Sequence, residues 1–174
     1  MIILGIDPGT ARCGIGVVEK KGNCLKCVSY GLIESDRERG QAERLEVVFS
    51  EVKRSIKRHR PDVVAVEKLF FSKNAKTAMS VGEARGVILL AAQLAGVEIR
   101  EYSPMEVKMA ITGYGMADKN QVLQMTKALL GMRENPKPDD VADALAIAAC
   151  CAGSYRMEKL KSGAANPVSG IKKK

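Results

Sequence analysis

Apolar positions along the chain follow two rhythms. Residues 2–6, Ile-Ile-Leu-Gly-Ile, form a short apolar run closed by Asp7-Pro8-Gly9-Thr10, the pattern of a buried strand ending in a turn. Residues 13–18 and 25–33 then alternate in strand fashion around Lys20-Lys21-Gly22-Asn23, which predicts an antiparallel three-stranded meander. From residue 38 to 60 the period changes: Leu45, Val48, Phe49, Val52 and Ile56 recur at helical spacing, with charged residues on the other faces. Pro61-Asp62 restarts the chain, and Val63-Val64-Ala65-Val66 ends at Glu67 as a strand buried on both faces. A polar loop over 68–76 precedes a helix at about 78–95 and a fifth strand at 97–102. Helices are predicted at about 104–111, 119–130 and 138–156.

This order predicts an α/β domain with a five-stranded mixed sheet, three strands antiparallel and two added in parallel by crossovers, and helices on both faces. It resembles the ribonuclease H-like pattern. The first and fourth strands then lie side by side and parallel, where strand order reverses and ligands tend to bind. Asp7 and Glu67 would sit at neighbouring strand ends. A chain of 174 residues with 46% hydrophobic and 28% charged composition has the size and make-up of one globular domain, expected over residues 1–157.

The formal charge of +8 points to a polyanionic partner, but its placement matters. Residues 156–174 hold six basic residues and one acid, leaving residues 1–155 with 22 against 19. Residues 158–174, rich in Gly, Ala and Ser and ending in three lysines, read as a basic disordered tail. Within the body, residues 51–76 carry eight basic and three acidic residues, either a solvated helix face or a stripe for phosphates. No apolar run reaches the length of a membrane span, and the first residues lack the marks of a secretory signal, so a cytoplasmic protein with no membrane role is expected. Five cysteines suit reduced thiols. Cys24 and Cys27 have zinc-knuckle spacing but no second pair to complete four ligands. His59 is the only histidine, so mechanisms built on a histidine pair are excluded by count.

The remaining chemistry is carboxylate chemistry. Asp7 and Glu67 each stand where an apolar strand stops, and Asp139-Asp140-Val141-Ala142-Asp143 opens an apolar helix. At 100° per residue, Asp139, Asp143 and Asp140 occupy one side of its first turn. Helix-dipole complementarity accounts for one or two of these acids, and less well for Asp143 in its apolar surroundings. Clustered acids repel one another unless protonated or neutralised by cations. Hard Mg²⁺ or Mn²⁺ is the natural neutraliser where no histidine set is offered. A carboxylate-held metal pair suits in-line displacement at phosphorus, and the basic loop beside Glu67 makes nucleic acid the expected substrate.

Together, GIDPGTARCGIGVV, the Val-Glu67-Lys-Leu-Phe-Phe-Ser-Lys-Asn segment, the Gly82-Glu83-Ala84-Arg85-Gly86 helix and DDVADALAIA resemble the RuvC family of bacterial Holliday-junction resolvases over about residues 1–153. The resemblance implies a homodimeric Mg²⁺-dependent endonuclease, with two ions in each active site and Mn²⁺ able to substitute. Such an enzyme nicks a four-way DNA junction symmetrically, leaves 5′-phosphate and 3′-hydroxyl ends, and works with the branch-migration proteins RuvA and RuvB. It maps the four catalytic, metal-holding acids onto Asp7, Glu67, Asp140 and Asp143. Asp140 is preferred to Asp139 because the family spacing is acid-x-x-Asp.

The same likeness assigns base stacking to Phe70, with Phe71 packing inward, and DNA contacts to Lys108 and Lys119. Lys73, Asn74, Lys76 and Arg85 are further DNA-binding candidates. Ordinary solvated lysines and two buried phenylalanines are the plainer alternatives. Gly82 and Gly86, four apart, permit close backbone approach, either at a subunit interface or within the chain. The competing functions are a related nuclease acting on RNA or unbranched DNA and a catalytically silent junction-binding module. An actin-like phosphotransferase would need two such domains.

Overall fold

The computed structural model describes residues 1–68 and 75–164, with side chains described to residue 68 and over 78–155. Five strands form one sheet: β1 (Ile2–Asp7), β2 (Arg12–Lys21), β3 (Cys24–Glu34), β4 (Val63–Glu67) and β5 (Glu98–Tyr102). Their spatial order is β3-β2-β1-β4-β5. β1 pairs antiparallel with β2 and parallel with β4, β2 pairs antiparallel with β3, and β5 extends β4 in parallel. The expected mixed sheet, with β1 and β4 adjacent and parallel, is the one observed.

Alternation along the strands sorts side chains to two faces. Leu4, Ile6, Val17, Val64 and Val66 meet Val48, Val52 and Ile56 of α1 (Gln41–His59) and Ile88, Ala91 and Ala92 of α2 (Ala75–Leu94). On the other face, Ile3, Val18, Val63 and Ala65 pack with α3 (Pro104–Thr112), α4 (Lys119–Leu129) and α5 (Asp139–Ala164). β3 alternates between half-buried and exposed residues because, as an edge strand, it lies largely beyond the helices.

Helix boundaries differ from the sequence reading where a local hydrogen bond decides them. α1 begins at Gln41 rather than residue 38. Asp36 accepts from the backbone N–H of Glu38 and Arg39, making a turn, and Gly40 donates to Glu43 Oε2 to open the helix. The first turns of α3 and α4 are held by Ser103 and Asp118, whose side chains accept from Glu106 N–H and Gln121 N–H. α2 starts three residues before the expected 78. α5 runs to Ala164, past the expected domain end at residue 157, so the first part of the expected tail is helical. All five cysteines are free, and the Cys13 thiol, pushed up to about 12 chiefly by burial, is a core group. No described helix is long and apolar enough to cross a membrane.

Candidate active site

Strand periodicity aims the first two acids. Asp7 shares its sheet face with Ile3 and Gly5, and Glu67 shares its face with Val63 and Ala65; this is the face covered by α5. The register pairs Ile6 with Val66, so Asp7 and Glu67 emerge side by side from β1 and β4.

Three glycines bring in the other two acids. A Cβ on Gly5 would stand 2.2 Å from the Ala144 carbonyl oxygen, one on Gly14 1.9 Å from that of Asp140, and one on Gly16 2.8 Å from the Leu145 side chain. With no side chain at these positions, the backbone of α5 lies directly on β1 and β2. Asp140 and Asp143, in the first turns of α5, are thereby carried to the strand ends that bear Asp7 and Glu67.

The electrostatics record this convergence. Burial, and then the charges of Glu67, Asp143 and Asp140, push the Asp7 carboxyl up to about 8, with Lys119 pulling the other way. Glu67 is raised to about 7 by burial and by Asp143, again against Lys119. Burial also raises Asp143, opposed by Lys119 and reinforced by Asp139 and Asp140. Such a group of acids favours protons or cations over free ionisation.

Two cationic side chains already answer that demand. Lys119 Nζ lies 3.1 Å from Asp143 Oδ2 and 3.3 Å from Asp139 Oδ2. Burial works to lower the Lys119 pKa, but these bonds outweigh it and the net shift is upward. Arg12 Nη2 lies 2.9 Å from Asp140 Oδ2. The sequence reading did not single out Arg12, although a signal exists: it is two residues before Gly14, on the strand face that α5 covers.

Glu67, Asp143, Lys108 and Lys119 line one cavity of about 240 Å³. The structure thus brings Lys108 and Lys119 to the acids. Arg85 is elsewhere: its Nη2 is 2.5 Å from Glu101 Oε1 on β5, and it does not line this cavity. Lys68 pairs with Glu106 at 3.3 Å. Phe70, Lys73 and Asn74 lie outside the described residues, as does the Lys76 side chain. No described atom lies against Gly86, and Met79, Leu90 and Leu94 on the same helix are exposed, so α2 carries an apolar stripe left uncovered among the described residues.

Among the described residues, no three His, Cys, Asp or Glu side chains are already gathered into a metal cage. The donor chemistry nevertheless fits a hard cation. Four carboxylates from three elements converge, burial and mutual repulsion raise Asp7, Glu67 and Asp143 above the usual carboxylate range, and the cations beside the group are side chains that can yield.

A ribonuclease H-like sheet with carboxylates at its central strand ends and a basic rim defines a class, the metal-dependent nucleases of nucleic-acid strands. Residues 3–151 match the family described as crossover junction endodeoxyribonuclease RuvC. The RuvC of Heliobacterium modesticaldum is 54% identical over 154 residues, covering 88% of this chain and 95% of that protein. That of Rubrobacter xylanophilus is 55% identical over 156 residues, 90% and 87% of the two chains. Among solved structures, Thermus thermophilus RuvC in complex with a Holliday junction substrate superposes with a TM-score of 0.86 at 38% identity, covering 91% of this chain and 96% of that one. The chain belongs to the RuvC family of crossover junction endodeoxyribonucleases, whose members are metal-dependent nucleases.

Proposed function

We propose that this chain resolves Holliday junctions in DNA recombination and repair, cutting two strands of like polarity by hydrolysis to 5′-phosphate and 3′-hydroxyl ends. The observation that carries the reading is the convergence of Asp7, Glu67, Asp140 and Asp143 beside a cavity rimmed by Lys108 and Lys119. The likeness to a RuvC solved in complex with a Holliday junction substrate supports the choice of substrate.

Asp7, Glu67, Asp140 and Asp143 would hold Mg²⁺, two ions per site, with Mn²⁺ able to replace it. When bound, the ions would activate water and stabilise the departing oxygen. The protein's own groups do the positioning. The half-buried Asp7 and Glu67 offer fixed oxygens from rigid strand ends. Lys108 and Lys119 attract the phosphate that enters the cavity, acting as point charges on non-bridging oxygens. Phe70, Lys73, Asn74 and Lys76, on the segment following Glu67, are assigned to the DNA by the family likeness.

Paired cuts require two sites. An isologous dimer presents two equivalent sites to the two equivalent strands of a junction. The stripe of Met79, Gly86, Leu90 and Leu94, uncovered among the described residues, supports α2 as the dimer surface, and Gly86, with no described atom near it, favours the interface role over internal packing. RuvA and RuvB are the partners implied by family membership, and the cytoplasm is the compartment.

The test is cleavage of a synthetic mobile four-way junction, compared with linear duplex and RNA–DNA hybrid in Mg²⁺, with both cuts mapped. Symmetric cuts confined to the junction are expected. Equal cutting of linear duplex, or a persistent monomer that couples its cuts, sinks the reading.

A further inference from the structure

Beside the carboxylate site, and sharing Asp140 with it, lies an open cleft of about 580 Å³ lined by Arg12, Arg37 and Arg44 together with the Pro8–Arg12 turn and Ser80. Arg12 closes its inner end through the ion pair with Asp140. Among the described residues Arg37 has no hydrogen bond or ion pair, and Arg44 has no acidic partner. Three guanidinium groups thus face one groove in which, among the described lining residues, the one acid is already paired.

The groove is also built. Arg44 Nε donates to Ser35 Oγ at 3.0 Å, Ser35 donates to the Thr10 carbonyl, and Thr10 Oγ1 and Ser80 Oγ are 2.6 Å apart. This polar chain links α1, the segment after β3, the β1–β2 turn and α2, with its middle members Ser35 and Thr10 buried and its ends, Arg44 and Ser80, half-buried. Neither the Ser35 nor the Thr10 side chain bonds to any of the four acids. The network instead fixes Arg44 by one nitrogen, leaving both terminal nitrogens for an anion. A guanidinium held in this way matches the fork geometry of phosphate oxygens.

From this we infer that the Arg12–Arg37–Arg44 cleft is the seat of the DNA strand next to the cut, with Arg37 and Arg44 each taking a backbone phosphate of that strand. The inference rests on the junction-cutting reading and extends it. An open groove continuous with the reacting site suits an extended polyanion better than a compact metabolite, and no feature of it reads base edges. Its contribution is therefore affinity and register, independent of sequence.

The experiment is junction binding by the full chain, without divalent ions, across a salt series. It compares the wild type, Arg37→Gln, the double variant Arg37→Gln/Arg44→Gln, and a charge-matched control, Lys21→Gln/Lys26→Gln, at the far end of the sheet. Each lost phosphate contact should lower the slope of log affinity against log salt by about 0.9. The double variant should bind roughly tenfold more weakly at low salt, with the control keeping the wild-type slope. Arg44→Gln also removes a hydrogen bond to Ser35, so Arg37→Gln, which breaks no bond in the chain, is the deciding variant. A wild-type slope in Arg37→Gln, or equal loss in the control, overturns the cleft while leaving the resolvase reading intact. A wild type that neither binds nor cuts junctions overturns both.

Discussion

Gly14 and Asp140 meet backbone to backbone: a Cβ on the glycine would lie 1.9 Å from the aspartate's carbonyl oxygen, so strand β2 and the first turn of α5 can approach this closely only without a side chain between them. Gly14→Ala must push α5 off the sheet. Overpacking of this kind costs about 1–3 kcal/mol, which for a chain of this size lowers the melting temperature by roughly 2–12 °C. Because Asp140 and Asp143 move with the helix, Mg²⁺ affinity should fall while junction binding persists. Gly31→Ala, with open space around it, is the control and should melt like the wild type. Thermal unfolding and metal titration of the two variants check this, and an undisturbed Gly14→Ala would mean that α5 is not seated by contact.

Asp7→Asn separates catalysis from folding. The Asp7 carboxyl is opposed by its burial and by three neighbouring acids, so replacing it removes repulsion while keeping the shape. The metal-free variant should melt at or a few degrees above the wild type at pH 8, and still bind junctions. Cleavage should drop by more than about 100-fold, beyond the loss expected from changing only the outer partners of a metal. Unchanged cutting would remove Asp7 from the mechanism.

Much of this arrangement is legible in the sequence because it is periodic. Continuous apolar runs mark β1 and β4 as buried strands, each closed by an acid, and the crossover order sets the two strands side by side, so the pairing of Asp7 with Glu67 is legible in the sequence. The helical phase of 139–143 likewise puts its acids on one side. What periodicity does not carry is the choice of ion-pair partners across long sequence separations. Arg85, a candidate for phosphate, is held by Glu101, and Arg12 lies on Asp140, 128 positions along the chain. Each pairing depends on how closely two elements pack. Glycines at 5, 14 and 16 leave no positive mark in a hydrophobic pattern, although Gly14 and Gly16 are spaced for one face of β2 and Gly5 pairs with Gly16 across from β1.

Asp139 and Asp140 are neighbours with different expected roles. Asp139 is mostly exposed and touches Lys119, whereas Asp140 is half-buried, adds to the charge felt by Asp7 and pairs with Arg12. An exposed ion pair is worth about 0–1 kcal/mol. Asp139→Asn should therefore cut within about fivefold of the wild type, and Asp140→Asn should lose more than about 100-fold, again past the effect of an outer partner. Single-turnover rates on one junction distinguish them, and a reversal of the two would move the metal-holding role to Asp139.

The raised carboxyls make metal binding and stability depend on pH in opposite directions. Asp7 titrates at about 8 and Glu67 at about 7 in the metal-free fold, against ordinary values of 3.8 and 4.5. Below those ordinary values both groups are protonated in the folded and unfolded chain alike, and their favourable contribution is fully present. Between there and pH 8 the folded chain keeps protons that the unfolded chain releases, so the metal-free protein should lose stability as pH rises through this window. A divalent ion must displace the same protons, so its affinity should climb as pH rises from about 6 to 8, by up to about tenfold per unit for each proton displaced. Cleavage at subsaturating Mg²⁺ should rise over the same range, and saturating Mg²⁺ should move its midpoint to lower pH. Calorimetry in two buffers of different ionisation heat counts the protons directly. Release of one to two per site at pH 6.5 is expected, and Mg²⁺ binding with no proton release would show that Asp7 and Glu67 are not the groups that receive the ion.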